Sequence, residues 1–465
     1  MKGRKILAFL LGGVSVILLE GILIVSFFVF WRDAVSEESG AQEVIMEETP
    51  ALIPLPEPPR QHIILDRFAE VRNELIAKEG EFLEINFSED KVFKYENGKI
   101  AAEAPILKKG DPQGWGGTPA GLYNVLSQNK VAFSGIAQVY MPYAISFYGK
   151  YYLHGEPYYP GGEKTASDIS GGCIQLKNES AEKMYELVEQ GTPVFVVDKE
   201  NDGYVYDAIK ASSPPYVSAT NYLIADVDSG FVFAEKNSQE VHPIASIAKL
   251  MTALVVAENV DLRKSIVVTP AMLQAYGETE GLEEGERYRI VELFYPLLIA
   301  SSNDAAEAVA GFLGRDRTIQ MMNEKAKEIL LANTVFTDPT GFDSGNVSSA
   351  QDLFYLARYI VNNRPPLLEI TRGREVRSYG PAQFSREELW NKNVFVADSS
   401  FVGGKTGYTT ASKHTGAFLF RFLAKENEIR TIAFVLLGSQ DSKLDTQLLY
   451  SWVQRTYQLS PDYSL

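Results

Sequence analysis

The spacing of apolar residues changes twice along this chain, and the order of the changes limits the folds open to it. From Phe82 the text FLEINFSEDKVFKYENGKIAAEAPIL alternates apolar and polar residues, as half-buried strands do, with a hairpin turn at Glu96, Asn97 and Gly98. More strand-like runs follow in GLYNVL, YAISFY and YYLHG, then a helix from Ser180 to Gln190, and TPVFVV closes a β-rich unit near Val197. A second hairpin, YLIADVDSGFVFAEK, leads into a long apolar helix beginning near Ala245, and helical spacing dominates to about Asn363. Strands return in VFVADSSFVGGKTGY, AFLFRFLAK and TIAFVLLG before a last helix over Leu444 to Tyr457. Strands at both ends with helices between imply a sheet assembled from distant parts of the chain and packed on a helical cluster. At 465 residues the chain is too long for one core. The expected organisation is multidomain: a β-rich domain over 81–199 and an α/β (α+β) domain over 216–462, with the boundary in the Gly-, Ser- and Pro-containing text between them.

The N-terminus adds a constraint on location. MKGRK precedes a nearly unbroken apolar stretch from Ile6 to Trp31, long enough to cross a bilayer, with its basic end inside the cell. A cleaved signal peptide is the rival reading, but the run is long for one and no AxA-like site follows. Residues 1–32 are therefore read as a transmembrane helix, with Glu20 protonated or paired at that depth. Residues 33–61, rich in Glu and Pro, form a solvated spacer, and 62–80 a connecting helix with apolar residues at helical spacing over Ile64 to Lys78. Everything after the span is then extracytoplasmic, facing the cell wall or periplasm. The single cysteine, Cys173, cannot form an internal disulfide there. A net charge of -16 argues against nucleic acid as a partner.

Ser246 and Lys249 stand three apart in HPIASIAKLMTALVVAE, so on a helix both point to one face and the amine reaches the hydroxyl. An amine in an apolar bed near a second cation has its pKa lowered toward the range a base needs. The spacing alone is weak, because SxxK also occurs at Ser88 to Lys91 and Ser180 to Lys183. Its company is stronger: LLIASSNDAA supplies Ser301 and Asn303, and FVGGKTGYTT supplies Lys405, Thr406, Gly407 and Tyr408.

SxxK, SxN and KTG in this order resemble the signatures of penicillin-binding proteins and class A β-lactamases. Together with SSAQDLFYLARYI and DPTGFD, the text from Tyr222 to Leu459 resembles the D-alanyl-D-alanine carboxypeptidase family. That resemblance implies the penicillin-binding/β-lactamase-like transpeptidase fold, stem peptides of peptidoglycan as substrate, and β-lactam antibiotics as inhibitors. It implies Ser246 as nucleophile, Lys249 as its base, Ser301 as proton relay, Asn303 fixing Lys249 and the substrate amide, and Lys405 holding the terminal carboxylate. It also implies an oxyanion hole from the N–H groups of Ser246 and Tyr408, and a strand at Gly407 along which the substrate lies, its missing Cβ leaving room. The family commonly carries a further C-terminal β domain and terminal membrane helix; here the text stops soon after the peptidase core. A β-lactamase is the nearest competitor, but no Glu-bearing deacylation loop is evident.

In the first domain His154 precedes Cys173 across a loop, and an imidazole beside a thiol makes a nucleophile on many folds. GGTPAGLYNV, the PYAISFYG-to-HG passage and SGGCIQL resemble the L,D-transpeptidase (YkuD-like) catalytic domain over about Phe82 to Val197. The resemblance implies Cys173 as nucleophile, His154 as base, the carbonyl of Gly155 orienting the ring, N–H groups of Gly171, Gly172 and Cys173 at the oxyanion, and Ser170 beside them. The usual SHGC text, followed by Ile or Val and then Arg, is altered: Gly171 replaces the His and Gln175 the Arg, which puts thiolate tuning and donor grip in question. His62, His242 and His414 read as structural or solvated. No HExxH, paired CxxC or phosphate-cradling loop occurs, so neither metal nor cofactor is expected. The two expected activities join in sequence, one trimming pentapeptide stems to tetrapeptides and the other using tetrapeptides. The competing reading is a wall-binding scaffold with a degenerate first domain.

Overall fold

Asp66 caps the first described helix, α1 (Arg67–Ala77), its carboxylate accepting from the N–H groups of Phe68 and Ala69. The computed structural model describes residues 62–64, 66–166, 170–197, 199–208, 212–277, 282–376 and 388–464. The expected transmembrane helix and the spacer lie outside them; among the described residues no helix is long and apolar enough to cross a membrane. The connecting helix is shorter than 62–80, because His62–Ile63 forms a strand, β1, paired with Val232 and Phe231 far along the chain. One face of α1 packs Phe68, Val71, Leu75 and Ile76 on Phe82, Phe93, Tyr95 and Phe195.

The β-rich half is two sheets around one core. β2 (Phe82–Asn86), β3 (Lys91–Glu96), β4 (Lys99–Pro105), β5 (Gly121–Asn124) and β10 (Pro193–Val196) form one sheet, in the order β4-β3-β2-β10-β5. The β3–β4 turn has Asn97 and Gly98 both in the left-handed region, as a two-residue hairpin requires. β6 (Ser127–Ser134), β7 (Val139–Tyr148), β8 (Tyr151–His154) and β9 (Ile174–Gln175) form the second, with β8 and β9 parallel. Leu83, Ile85, Val92, Ile145, Phe147, Leu153 and Ile174 meet between them. The helix expected over Ser180 to Gln190 is α2 (Asn178–Glu186), closed early by turns at Leu187 and Thr192 that feed β10.

The second half has the expected sheet from distant segments. β11 (Asn221–Asp226), β12 (Phe231–Lys236), β13 (Phe401–Thr409), β14 (Lys413–Leu423) and β15 (Ile429–Ser439) run in the order β1-β12-β11-β15-β14-β13, with β16 (Ser460–Pro461) beside β14. Among the described residues β13 pairs only with β14, which leaves it at the edge of the sheet. The strand expected from VFVADSS begins later, at Phe401, since turns at Val396 and Asp398 occupy that text. Against the sheet pack α3 (Ala248–Asn259), α4 (Ile290–Leu298), α5 (Asn303–Leu313), α6 (Arg315–Glu328), α7 (Ala350–Asn363) and α8 (Pro365–Thr371); α9 (Ser442–Tyr457) covers the other face. Every residue of α3 from Ala248 to Glu258 is buried, which makes it the hub of the cluster.

The two halves belong to one compact unit. Their junction is polar and dry: Glu258 at the end of α3 pairs with Lys325 at 2.9 Å and Arg364 at 3.3 Å, all three fully buried. The β-rich half answers with hydroxyls, Tyr123 accepting from Lys325 at 2.9 Å and Tyr151 from Arg364 at 2.7 Å. Trp115 from the same half enters the helical core, its ring 5.9 Å from Phe294.

Candidate active sites

The turn before α3 positions Ser246. Ala245–Ile247 is a single 3-10 turn, and Ala245 is held at φ +50, a conformation costly for a residue with a Cβ. Two glycines let other segments close on that turn. A Cβ on Gly407 would sit 2.9 Å from the Ser246 nitrogen and 2.6 Å from Thr415 Oγ1, and one on Gly341 1.9 Å from the Ala245 carbonyl. The Cβ direction of Gly407 thus points at Thr415 and at the turn that carries Ser246.

Lys249, fully buried, reaches Ser246 Oγ at 2.9 Å, Asn303 Oδ1 at 2.7 Å and the Thr340 carbonyl at 2.6 Å. Two of these partners only accept. In a neutral amine they take the two N–H groups, which leaves the lone pair toward the one partner able to donate, the Ser246 hydroxyl. Asn303 opens α5 beside Ser302, whose hydroxyl caps that helix, and its amide N–H₂ donates to the Tyr276 carbonyl. Lys405, on edge strand β13, donates to Ser301 Oγ and to the Thr406 carbonyl, both at 2.9 Å. Ser301 is itself at φ +60. Hydrogen bonds thus join Ser246, Lys249 and Asn303 in one group and Ser301 and Lys405 in another, with Ser301 two residues before Asn303 and Lys405 two before the Gly407 that abuts Ser246. Thr406 turns its hydroxyl to the Lys392 carbonyl, and the exposed Tyr408 ring lies 4.7 Å from His414.

Sequence reasoning missed the loop behind Lys249. Asp338 accepts from the Thr340 N–H and hydroxyl (both 2.6 Å), the Gly341 N–H (2.8 Å), the Asp343 N–H (2.7 Å) and Asn346 Nδ2 (2.8 Å). Burial raises the pKa of Asp338, but the hydrogen bonds from Thr340 and the Asp343 and Gly341 N–H groups outweigh it and hold the carboxyl below its ordinary 3.8. The DPTGFD text was the available signal. Tyr276 and Phe342, exposed and 5.0 Å apart, flank the same region.

In the other half His154 ends β8 and Cys173 directly precedes β9; pairing of Leu153 with Ile174 puts both side chains on one face of the sheet. Both line a cavity of about 490 Å³ with Ser170, Gly171 and Gln175. His154 Nδ1 lies 2.6 Å from the Gly155 carbonyl. Burial pushes the His154 imidazole down to about 4 against that carbonyl's pull, and pushes the Cys173 thiol, 3.8 Å from the Lys150 carbonyl, up to about 11 against the Tyr152 backbone and Lys150. The Gly172 N–H is taken by Ser170 Oγ at 3.1 Å, and that hydroxyl donates to the Cys173 carbonyl, so in this structure the Gly172 N–H braces the loop. Gly172 is at φ +113 against Tyr151, whereas a Cβ on Gly171 meets nothing within 4 Å. Gln175 stands beside His154 in register. Of the other histidines, His62 faces Glu235 at 3.5 Å and His242 bonds the Pro243 carbonyl. Among the described residues no cluster fit to hold a metal occurs.

An α/β sheet-and-helix fold with a buried lysine between a helix-start serine and an asparagine, and a second lysine on the facing edge strand, defines a serine acyl-transfer protein of the penicillin-recognising class. Residues 208–440 match the D-alanyl-D-alanine carboxypeptidase family, and the chain belongs to it. Residues 80–196 match the L,D-transpeptidase catalytic domain. The D-alanyl-D-alanine carboxypeptidase DacB2 of Mycobacterium tuberculosis is 34% identical over 202 residues, 42% of this chain and 68% of that protein. DacF of Bacillus subtilis is 30% identical over 241 residues, 50% of this chain and 60% of that protein. A solved D-alanyl-D-alanine carboxypeptidase of M. tuberculosis superposes with a TM-score of 0.46 at 28% identity, over 53% of this chain and 95% of that one.

Proposed function

We propose that this is an extracytoplasmic, membrane-tethered peptidoglycan enzyme with two acyl-transfer sites. The serine site is a D,D-carboxypeptidase. Ser246 Oγ attacks the carbonyl of the penultimate D-alanine of a stem pentapeptide, its proton passing to the Lys249 amine, while Ser301 returns a proton to the leaving D-alanine. Lys405 holds the terminal carboxylate, Asn303 the substrate amide, and the N–H groups of Ser246 and Tyr408 the oxyanion. Water then releases the tetrapeptide from Ser246. The observation that carries this is the hydrogen-bonded run from Ser246 through Lys249 to Asn303, with Lys405 on Ser301 opposite. Labelled penicillin tests it: wild type is acylated and Ser246→Ala is not, and label retained by Ser246→Ala assigns the chemistry elsewhere.

The cysteine site is an L,D-transpeptidase acting on tetrapeptide stems. Substrate docking drives the Cys173 proton to His154, and the thiolate takes the acyl group with loss of D-alanine. The lowered imidazole and raised thiol pKa values also favour a second reading, a domain that binds wall peptide without turnover. Tetrapeptide muropeptides supplied to the extracytoplasmic part separate the two: Cys173-dependent D-alanine or 3-to-3 linked dimers support turnover, and identical products from Cys173→Ala refute it.

A further inference from the structure

The turn that carries Ser246 is held in a conformation its own residues do not favour. Ala245 is at φ +50, and a side-chain-bearing residue stays there only where its surroundings over-determine it. Ile244, one residue earlier, is where the surroundings take hold. Its N–H donates to the Asn346 carbonyl at 3.0 Å, on the loop that Asp338 shapes. Its carbonyl accepts twice, from the Ile247 N–H at 3.3 Å, which closes the 3-10 turn over Ser246, and from the Thr415 hydroxyl at 3.0 Å.

These two bonds do different work. The Ile247 bond is internal to the turn and survives any rotation of the turn as a unit. The Thr415 bond comes from β14, 171 residues away in the chain, and ties the turn to the sheet. Thr415 is fully buried and stands opposite Gly407 in register, two residues along β13 from Lys405. A Cβ on Gly407 would lie 2.6 Å from Thr415 Oγ1 and 2.9 Å from the Ala245 Cβ, so the hydroxyl sits where the edge strand and the turn meet. Without it the Ile244 carbonyl keeps its Ile247 partner, which leaves no buried acceptor bare and the fold intact.

We propose that Thr415 is a positioning residue of the serine site, its hydroxyl fixing the Ile244 carbonyl against the sheet and thereby aiming the Ser246 hydroxyl and N–H at a substrate carbonyl lying along β13. The inference rests on the reading of Ser246 as the nucleophile. Thr415 itself touches no substrate and acts through the turn.

The test is stopped-flow reaction of the full chain with a fluorescent penicillin, which separates the non-covalent dissociation constant from the first-order rate of Ser246 acylation. Thr415→Val removes the donor and keeps the branched shape. It should acylate at least about tenfold more slowly, with a dissociation constant within about twofold of the parent's. Thr415→Ser should recover most of the rate, and Thr415→Ala, one hydroxyl short of it, should behave as Thr415→Val does. Acylation by Thr415→Val and Thr415→Ala within about twofold of the parent, equal slowing in the Ser and Ala variants, or a loss confined to the dissociation constant overturns the proposal. A parent chain not acylated at Ser246 refutes the serine reading and this inference with it, whereas normal acylation of the parent beside unaffected Val and Ala variants refutes this inference alone.

Discussion

Gly407 sets how closely the edge strand approaches the turn that carries Ser246. With a Cβ 2.9 Å from the Ser246 nitrogen, either β13 or the turn must move by a good part of an ångström. Displacements of that size at a reacting atom cost about 100-fold in rate. Gly407→Ala should therefore slow penicillin acylation by about that factor while lowering the melting temperature by only a few degrees; a rate within twofold of wild type means that the strand and turn part freely. Gly171 is the opposite case, since its Cβ direction is open. Gly171→His should fold normally and place an imidazole beside the thiol. The wild-type thiol, raised to about 11, is protonated at neutral pH, so its alkylation by iodoacetamide should climb tenfold per pH unit from 7 to 10. In Gly171→His the rate at pH 7 should rise at least about tenfold if the loop accepts a tuning residue there. An unchanged rate shows that the added ring does not reach Cys173.

At the scale of elements, the Asp338 loop carries the Thr340 carbonyl to Lys249, and five hydrogen bonds to one carboxylate fix its shape. Asp338→Asn presents N–H₂ to donors and loses charge, which should cost about 2 kcal/mol and slow acylation at least about tenfold. The folded-state pKa of Asp338 lies below its unfolded value, so its stabilisation is complete above about pH 4 and fades as pH falls through the folded value. Urea midpoints of wild type and Asp338→Asn should therefore differ at pH 7 and converge toward pH 2. Much of this half was legible. The 3.6-residue spacing of α9 follows from its one buried face, whereas α3 and β11, buried on all sides, read as near-continuous apolar runs. What spacing does not carry is local: the left-handed Ala245 before Ser246, the strand at His62 and Ile63 whose partners are Val232 and Phe231, and the early end of α2. The meeting of Lys405 with Ser301 was readable only because motif order implied it, whereas Thr340 acts through a carbonyl, and no side-chain pattern records that. The bond from Thr415 to the Ile244 carbonyl is likewise a contact between residues distant in sequence, with no periodic trace.

For the molecule as a whole, α3 and the charges at its end decide whether two domains are one folding unit. Glu258, Lys325 and Arg364 leave water entirely on the helical side, and the opposing half supplies the Tyr123 and Tyr151 hydroxyls. Burial alone would raise the pKa of Glu258, but Lys325 and Arg364 hold it below its ordinary 4.5. Separating the halves would strip the buried cations of the Tyr123 and Tyr151 hydroxyls and withdraw Trp115 from its contact with Phe294 in the helical core. The halves should then unfold together, giving one calorimetric transition with loss of penicillin acylation and exposure of Cys173 at the same temperature. Glu258→Gln removes the carboxylate shared by two buried cations, leaving Glu328 near Lys325 and none on Arg364, and should lower stability by about 3 kcal/mol. The loss should appear in both readouts, although Cys173 lies in the other half. If instead wild type melts in two steps, or Glu258→Gln lowers only the acylation transition, the junction is a contact between independent domains.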